Sequence, residues 1–277
     1  MTSDDEFDAI RNDPDPIRRG RRAGELITVY QQRTTELSRL RKAAIEQAHR
    51  EHGLSYSEIG TKLGLTKGRI SQIRVSAPPP ERAFYGVGPI AIGVPRRIGV
   101  EEGRERSYVD SNDAATRTRL ERALEELSFK TTQFDIHPTT EDTPTGDCII
   151  VCGPASAPVA RNLLATDPLL AFDRTDQGWS IIDIREGAKH FSPYRTDGTH
   201  RDIGYLSRRV DGNRVIVHIA GITAIGSDGV AHWLTNNLRT VYDPDAALTD
   251  CIIECAFTEE RAITDSRLLI GPYAVTR

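Results

Sequence analysis

Apolar residues at Leu26, Tyr30, Leu37, Leu40 and Ala44 recur at steps of four and three, with Arg33 as the one polar interruption. That period predicts one long amphipathic helix with a short heptad-like seam. Asp13-Pro14-Asp15-Pro16 marks its start, with proline at the first helical position and acids at the positive end of the dipole. His52-Gly53 marks its end, so the helix should run to about Glu51. The seam either packs on the following helices or pairs two chains.

Two shorter helices follow. Ser55 and Glu58 have capping-box spacing, and Ile59 and Leu63 give the first helix an inward face. Gly64 supplies a left-handed turn, Thr66 caps the second helix, and Ile70 and Ile73 face back. The pattern is a helix-turn-helix over residues 54–75. Pro78-Pro79-Pro80 then stops the helix, and residues 78–88 read as a Pro-rich, semi-rigid extended linker.

Beyond the linker the period changes. Residues 89–94, 132–136, 148–152, 179–184, 214–219, 251–257 and 268–270 read as strands. Leu120–Leu127, Ala157–Leu164, Ile203–Arg208 and Val230–Leu238 read as helices, and 97–118 as an exposed loop. Apolar strands alternating with helices predict an α/β domain over 89–277. It should be Rossmann-like, with a mainly parallel sheet and helices on both faces, after an all-α domain over 1–77.

Charge sharpens this division. The formal net charge is -4. Residues 1–16 are acidic, residues 17–75 carry thirteen Lys/Arg against five Asp/Glu, and the remainder is acidic again. A basic block between acidic segments is the footprint of a nucleic-acid-binding module on an acidic partner domain. No run reaches the length of a membrane span, and the acidic start is unlike a secretory signal. Four cysteines are too few for a disulfide scaffold. The expectation is a cytoplasmic protein without a membrane contact. Cys148/Cys152 and Cys251/Cys255 read as small buried hydrophobes, not metal ligands.

Tyr56-Ser57-Glu58-Ile59-Gly60, Leu63-Gly64-Leu65-Thr66 and Arg69-Ile70-Ser71-Gln72-Ile73 together resemble the helix-turn-helix of sigma-70 region 4 and related bacterial regulators. The resemblance covers the N-terminal part only. It implies double-stranded DNA as a partner and a contact with RNA polymerase, but not a complete sigma factor. The residue chemistry agrees independently. Thr66, Lys67, Arg69, Ser71 and Gln72 occupy the groove-facing side of a recognition helix, where Arg69 suits guanine and Gln72 adenine. Ser55, Tyr56, Lys62 and Arg74 are placed for phosphates. A single unit makes a small interface, so a homodimer is expected.

In the C-terminal domain two strand–loop–helix junctions stand out, at Gly153-Pro154-Ala155-Ser156 and at Gly221–Gly229. At the carboxyl ends of parallel strands both would face a ligand. Gly153, Pro154, Ser156, Gly221, Thr223, Gly226 and Ser227, with Asp202, are the expected contacts of a small, nucleotide-like effector. Tight turns and helix packing are the competing explanation for the glycines. His232 near Ser227 and Asp228 evokes a nucleophilic set, but no nucleophile elbow surrounds Ser227. No catalytic residue, metal or cofactor is therefore assigned. The expectation is a DNA-binding transcriptional regulator with a sensing or dimerising α/β domain. A nucleotide-processing enzyme tethered to DNA and a structural partner-docking domain are the alternatives.

Overall fold

The structure, a computed structural model, describes residues 3–276. Its contacts divide the chain into two units: residues up to Pro80 with Val87–Pro89 and Ser128–Lys130, and Glu81–Gly86, Ile90–Leu127 with everything from Thr131 onward.

The first unit is helical: α1 (Ser3–Arg11), α2 (Pro16–His52), α3 (Tyr56–Leu63) and α4 (Lys67–Ser76). Asp15 caps α2 by accepting from the Ile17 and Arg18 N–H groups, and Gly53 ends it at φ 65°. Asp13 takes a fork of hydrogen bonds from Arg18, at 2.7 Å through both Nε and Nη2. That guanidinium holds the Asp13 carboxyl well below the usual carboxylate range. With 37 residues, α2 is a rod of about 55 Å. Its seam is divided. Leu26 and Tyr30 are half-buried, with Phe7 of α1 against the Tyr30 ring at 5.8 Å, whereas Leu37 and Leu40 are 65% and 47% exposed. The α3–α4 pair packs on Ile45 and Ala48, not on the seam residue Ala44.

The second unit begins with a 3-10 turn at Pro80–Tyr85 that buries Arg82, Phe84 and Tyr85. The expected extended linker over 78–88 is corrected accordingly: its aromatic residues leave water and cannot stay in a solvated spacer. There follow β1 (Ile90–Pro95), β2 (Arg97–Glu101), β3 (Arg104–Tyr108), α5 (Ser111–Glu126), β4 (Thr131–Ile136), β5 (Cys148–Val151), α6 (Pro158–Ala165), β6 (Leu170–Thr175), β7 (Gly178–Asp183), β8 (Ala188–Phe191), α7 (Pro193–Thr196), β9 (Arg201–Asp211), β10 (Arg214–Gly221), α8 (Ala224–Val241), β11 (Ala246–Phe257) and β12 (Ile263–Thr276). The main sheet has the order β12-β11-β9-β10-β5-β1-β4. Strands β4, β1, β5 and β10 are parallel, while β10, β9, β11 and β12 are antiparallel.

The sheet is thus mixed rather than mainly parallel, and its antiparallel half has no counterpart in a doubly wound Rossmann order. The cause is local. Only Gly212-Asn213 separates β9 from β10, and a two-residue loop can join only antiparallel neighbours. The expected helix at Ile203–Arg208 is strand β9, and the expected loop 97–118 holds the β2–β3 hairpin and the first turns of α5.

Helices cover one face, and a helix and a small sheet cover the other. Helix α8 lies over β9–β12 beside α5, which lies over β1, β4 and β5. On the opposite face α6 packs on Cys148, Ile150 and Ile216. The antiparallel sheet β6-β7-β8 packs there on Ile203, Tyr205 and Ile252. All four cysteines are free and buried, and burial pushes the Cys148, Cys152 and Cys255 thiols up to about 12.

Candidate functional site

The helix-turn-helix is built from caps inward. The Ser55 hydroxyl accepts from the Glu58 N–H, and the Glu58 carboxylate accepts from the Ser55 N–H at 2.8 Å, which closes the capping box. Helix α3 ends at Gly64, φ 65°, whose N–H reaches back to the last turn. The helix then approaches the turn so closely that a Cβ at Gly60 would lie 2.8 Å from the Leu65 carbonyl oxygen. Thr66 caps α4 by accepting from the Arg69 N–H at 3.1 Å. Ile45, Ile59, Ile70 and Ile73 are fully buried together, each contributing roughly 1.5–3 kcal/mol by burial.

With Ile70 and Ile73 turned inward, the other side of α4 faces solvent. Lys67, Arg69, Ser71 and Gln72 are exposed, as are Ser55, Lys62 and Thr66. Arg69 Nη1 donates to Gln72 Oε1 at 2.7 Å, so the two expected base readers are bonded to each other. Tyr56 and Arg74 are half-buried. The Arg74 guanidinium lies 4.0 Å from the Tyr56 ring centroid, and His49 stacks on the ring's vicinity at 4.2 Å. That stack fixes how α3 meets α4. Thr66 and Ser55 spend their side-chain oxygens on caps.

Residues 35–77 match the family model of Sigma-70, region 4. The match takes in the C-terminal part of α2, both short helices and the turn between them, so this segment is a sigma-70 region 4-like helix-turn-helix. No curated protein and no solved structure matches the chain. No helix among the described residues is long and apolar enough to cross a membrane.

In the second unit a cleft of about 290 Å³ opens where β1, β5 and β10 end. It brings together Gly153, Pro154, Ser156, Gly221, Thr223 and Ser227, all expected from the sequence. Gly226 and Asp202 lie behind the wall instead. A Cβ at Gly226 would run into the Ile203 carbonyl, and one at Gly221 into the backbone of Thr223 and Ser227. Gly226 serves the close seating of α8 on β9, and Gly221 the tight passage from β10 into α8. Asp202 is fully buried. Its Oδ2 accepts from Thr223 Oγ1 at 2.6 Å and from the Gly226 N–H at 3.0 Å, while Oδ1 accepts from the Ile203 N–H. Burial pushes its carboxyl upward, and hydrogen bonds from Ser192, Thr223 and the backbone pull it back. Asp202 is therefore a cap, of α8. It occupies the place at that helix start which an anionic ligand would take.

The cleft has a second wall that sequence reasoning missed. Arg97 Nη2 donates to Asp113 Oδ2 at 2.8 Å. Asp113 is 2% exposed, and burial raises its carboxyl to about 6 despite that partner. Asp110 caps α5, accepting from the Asn112 N–H at 2.9 Å. Asn112 is 6% exposed and donates through Nδ2 to the Arg261 carbonyl at 3.2 Å. Its Oδ1 and the Arg97 Nε–H are buried without a partner. Phe172 and Trp179, 6.5 Å apart and edge-to-face, come from the small sheet. The one available signal was Asp110-Ser111-Asn112 as a helix start, preceding Leu120 and Leu124 at helical spacing.

The imagined nucleophilic set does not form. Ser227 Oγ accepts from the Gly221 N–H at 2.8 Å, whereas His232 Nδ1 lies 2.7 Å from Ser266 Oγ. His218 is a core residue whose Nε2 bonds to the Cys152 carbonyl at 2.8 Å, and burial lowers it to about 4. No group of residues fit to hold a metal occurs among the described residues.

Proposed function

We propose that this chain is a sequence-specific DNA-binding transcriptional regulator, not an enzyme, which acts as a homodimer and holds a small effector in the cleft of its second unit. The observation that carries the DNA reading is the division of α4. Its apolar side is locked against α2 and α3, and its cationic and amide side is left to solvent within a region 4-like segment. A recognition helix needs that division, because only side chains free of the core reach base edges.

Two copies would double a small interface and give the affinity that one unit lacks. An effector changes DNA affinity only through different affinity for two conformations of the protein, so effector and DNA must shift each other's binding equally.

The test is selection of duplexes from a randomised pool by the full chain, followed by binding at several salt concentrations. The expected result is one enriched motif, bound at two half-sites, with affinity falling steeply as salt rises. Absence of any enriched motif, with equal weak binding to all duplexes, would overturn it.

A further inference from the structure

The helix starts around the cleft are not free phosphate cradles: the α8 start is closed by the Asp202 carboxylate and the α5 start by the Asp110 carboxylate, while α6 opens with Pro158, which has no N–H, and gives its Val159 N–H to the Thr140 carbonyl. What the cleft does offer lies on the other wall. Two residues that line it each carry a buried polar atom without a partner: a donor, Arg97 Nε–H, and an acceptor, Asn112 Oδ1. Asn112 is 94% buried by the complement of its 6% exposure, and its amide is oriented by the Arg261 carbonyl. Leaving such atoms unpaired is costly, so a site that orients them is built to meet a partner. Apolar ring surface from Phe172 and Trp179 lies in the same cleft, and the exposed cations Arg195 and Arg261 line it.

We propose that this cleft binds a mononucleotide with its base edge on Arg97 and Asn112, its ring against Trp179 and Phe172, and its phosphate toward Arg195 and Arg261. The inference rests on the effector reading of the cleft and gives that effector a chemistry. A nucleobase edge carries a hydrogen-bond acceptor next to a donor, the complement of one orphaned donor and one orphaned acceptor. Every base has a flat π-face, which aromatic walls hold without regard to sequence. The volume, about 290 Å³, lies at the small end of ligand sites, with room for one nucleotide and not for a dinucleotide. Arg97 stands on β2, so occupation of the cleft also bears on the hairpin that exposes Ile98 and Val100.

The experiment is calorimetric titration of the full chain with nucleoside 5′-monophosphates, the matching nucleosides, a dinucleotide and inorganic phosphate. DNA affinity is measured in parallel with each. One or more monophosphates should bind with the free nucleoside weaker and the dinucleotide and phosphate silent. Asn112→Ala and Trp179→Ala should each weaken binding roughly tenfold or more. Arg195→Glu should weaken the monophosphate and leave the nucleoside unchanged. Circular dichroism controls for folding, and the wild-type titration stands whether or not a variant folds. No binding of any nucleoside or nucleotide up to about 1 mM, or binding indifferent to Asn112 and Trp179, would overturn the assignment. The two readings separate. A monophosphate that binds as described without shifting DNA affinity leaves the cleft chemistry standing and removes the sensor. A non-nucleotide metabolite that binds the cleft and shifts DNA affinity does the reverse.

Discussion

Arg69 and Gln72, one helical turn apart on α4, bond to each other at 2.7 Å through the guanidinium and the amide oxygen. The bond takes up the Gln72 amide oxygen and one guanidinium nitrogen, and does not use the Gln72 amide N–H₂ or the other guanidinium donors. Arg69→Ala should lower specific DNA affinity by about 1–3 kcal/mol and relax preference at one base position. Gln72→Ala should do the same at a neighbouring position. Because each holds the other, the double variant should lose less than the two single losses combined. Binding to a library randomised at each position reads both effects.

Lys67 and Lys62 are exposed, and a lysine is a single point charge without the bidentate fork of an arginine. Lys67→Ala is expected to weaken binding evenly across sequences. The slope of log affinity against log salt should fall by about 1 per lost phosphate contact. A changed base preference instead would place Lys67 in the groove.

Much of this region was legible in the sequence because its determinants are local. Ser55 with Glu58, Gly64 and Thr66 are caps and turns that act within four residues of themselves, and the structure uses each of them so. The antiparallel half of the sheet was harder to read. Strand β9 carries Asp202, Arg208 and Arg209, charges that argue for an exposed helix. Their burial is made tolerable by partners far along the chain, such as the Ala246 carbonyl, which accepts from Arg208 at 2.7 Å. The start of α8 read as loop because Gly226, Ser227 and Gly229 are poor helix formers; packing overrides propensity there. In the cleft, Gly153 and Gly221 were visible at the ends of obvious strands. Arg97, Asn112 and Trp179 come from a hairpin, a helix start and a separate sheet, which no local pattern joins.

His218 gives the second unit a pH dependence of definite sign. Its folded pKa, about 4, lies below the ordinary value of 6.5 because the ring is buried, with the Arg209 charge adding to the effect. The Cys152 carbonyl and Asp167 oppose that shift, and the Tyr205 ring packs edge-on at 5.3 Å. A depressed pKa contributes stability that is present above 6.5 and lost as pH falls through about 4. His218→Gln, which retains a donor toward Cys152, should flatten the fall in melting temperature over that window. The wild type should lose about 3 kcal/mol more than the variant between its two ends.

Gly226→Ala tests the seating of α8. The added methyl meets the Ile203 carbonyl, which the β-ladder and the Ile222 N–H hold in place. The expected cost is about 1–3 kcal/mol, seen as a lowered urea midpoint. Gly153→Ala, whose nearest neighbour would be the Gly221 carbonyl at 3.7 Å, should leave the midpoint almost unchanged.

Asp202 joins a strand to the first turn of a helix through one carboxylate. Successive residues of β9 alternate faces, so a slip of that strand by a single residue would swing the carboxylate to the far side and strand the amides of Thr223 and Gly226. The alignment of β9 with both of its neighbours is in this way pinned from one end, and misaligned pairings are penalised as soon as α8 begins to form.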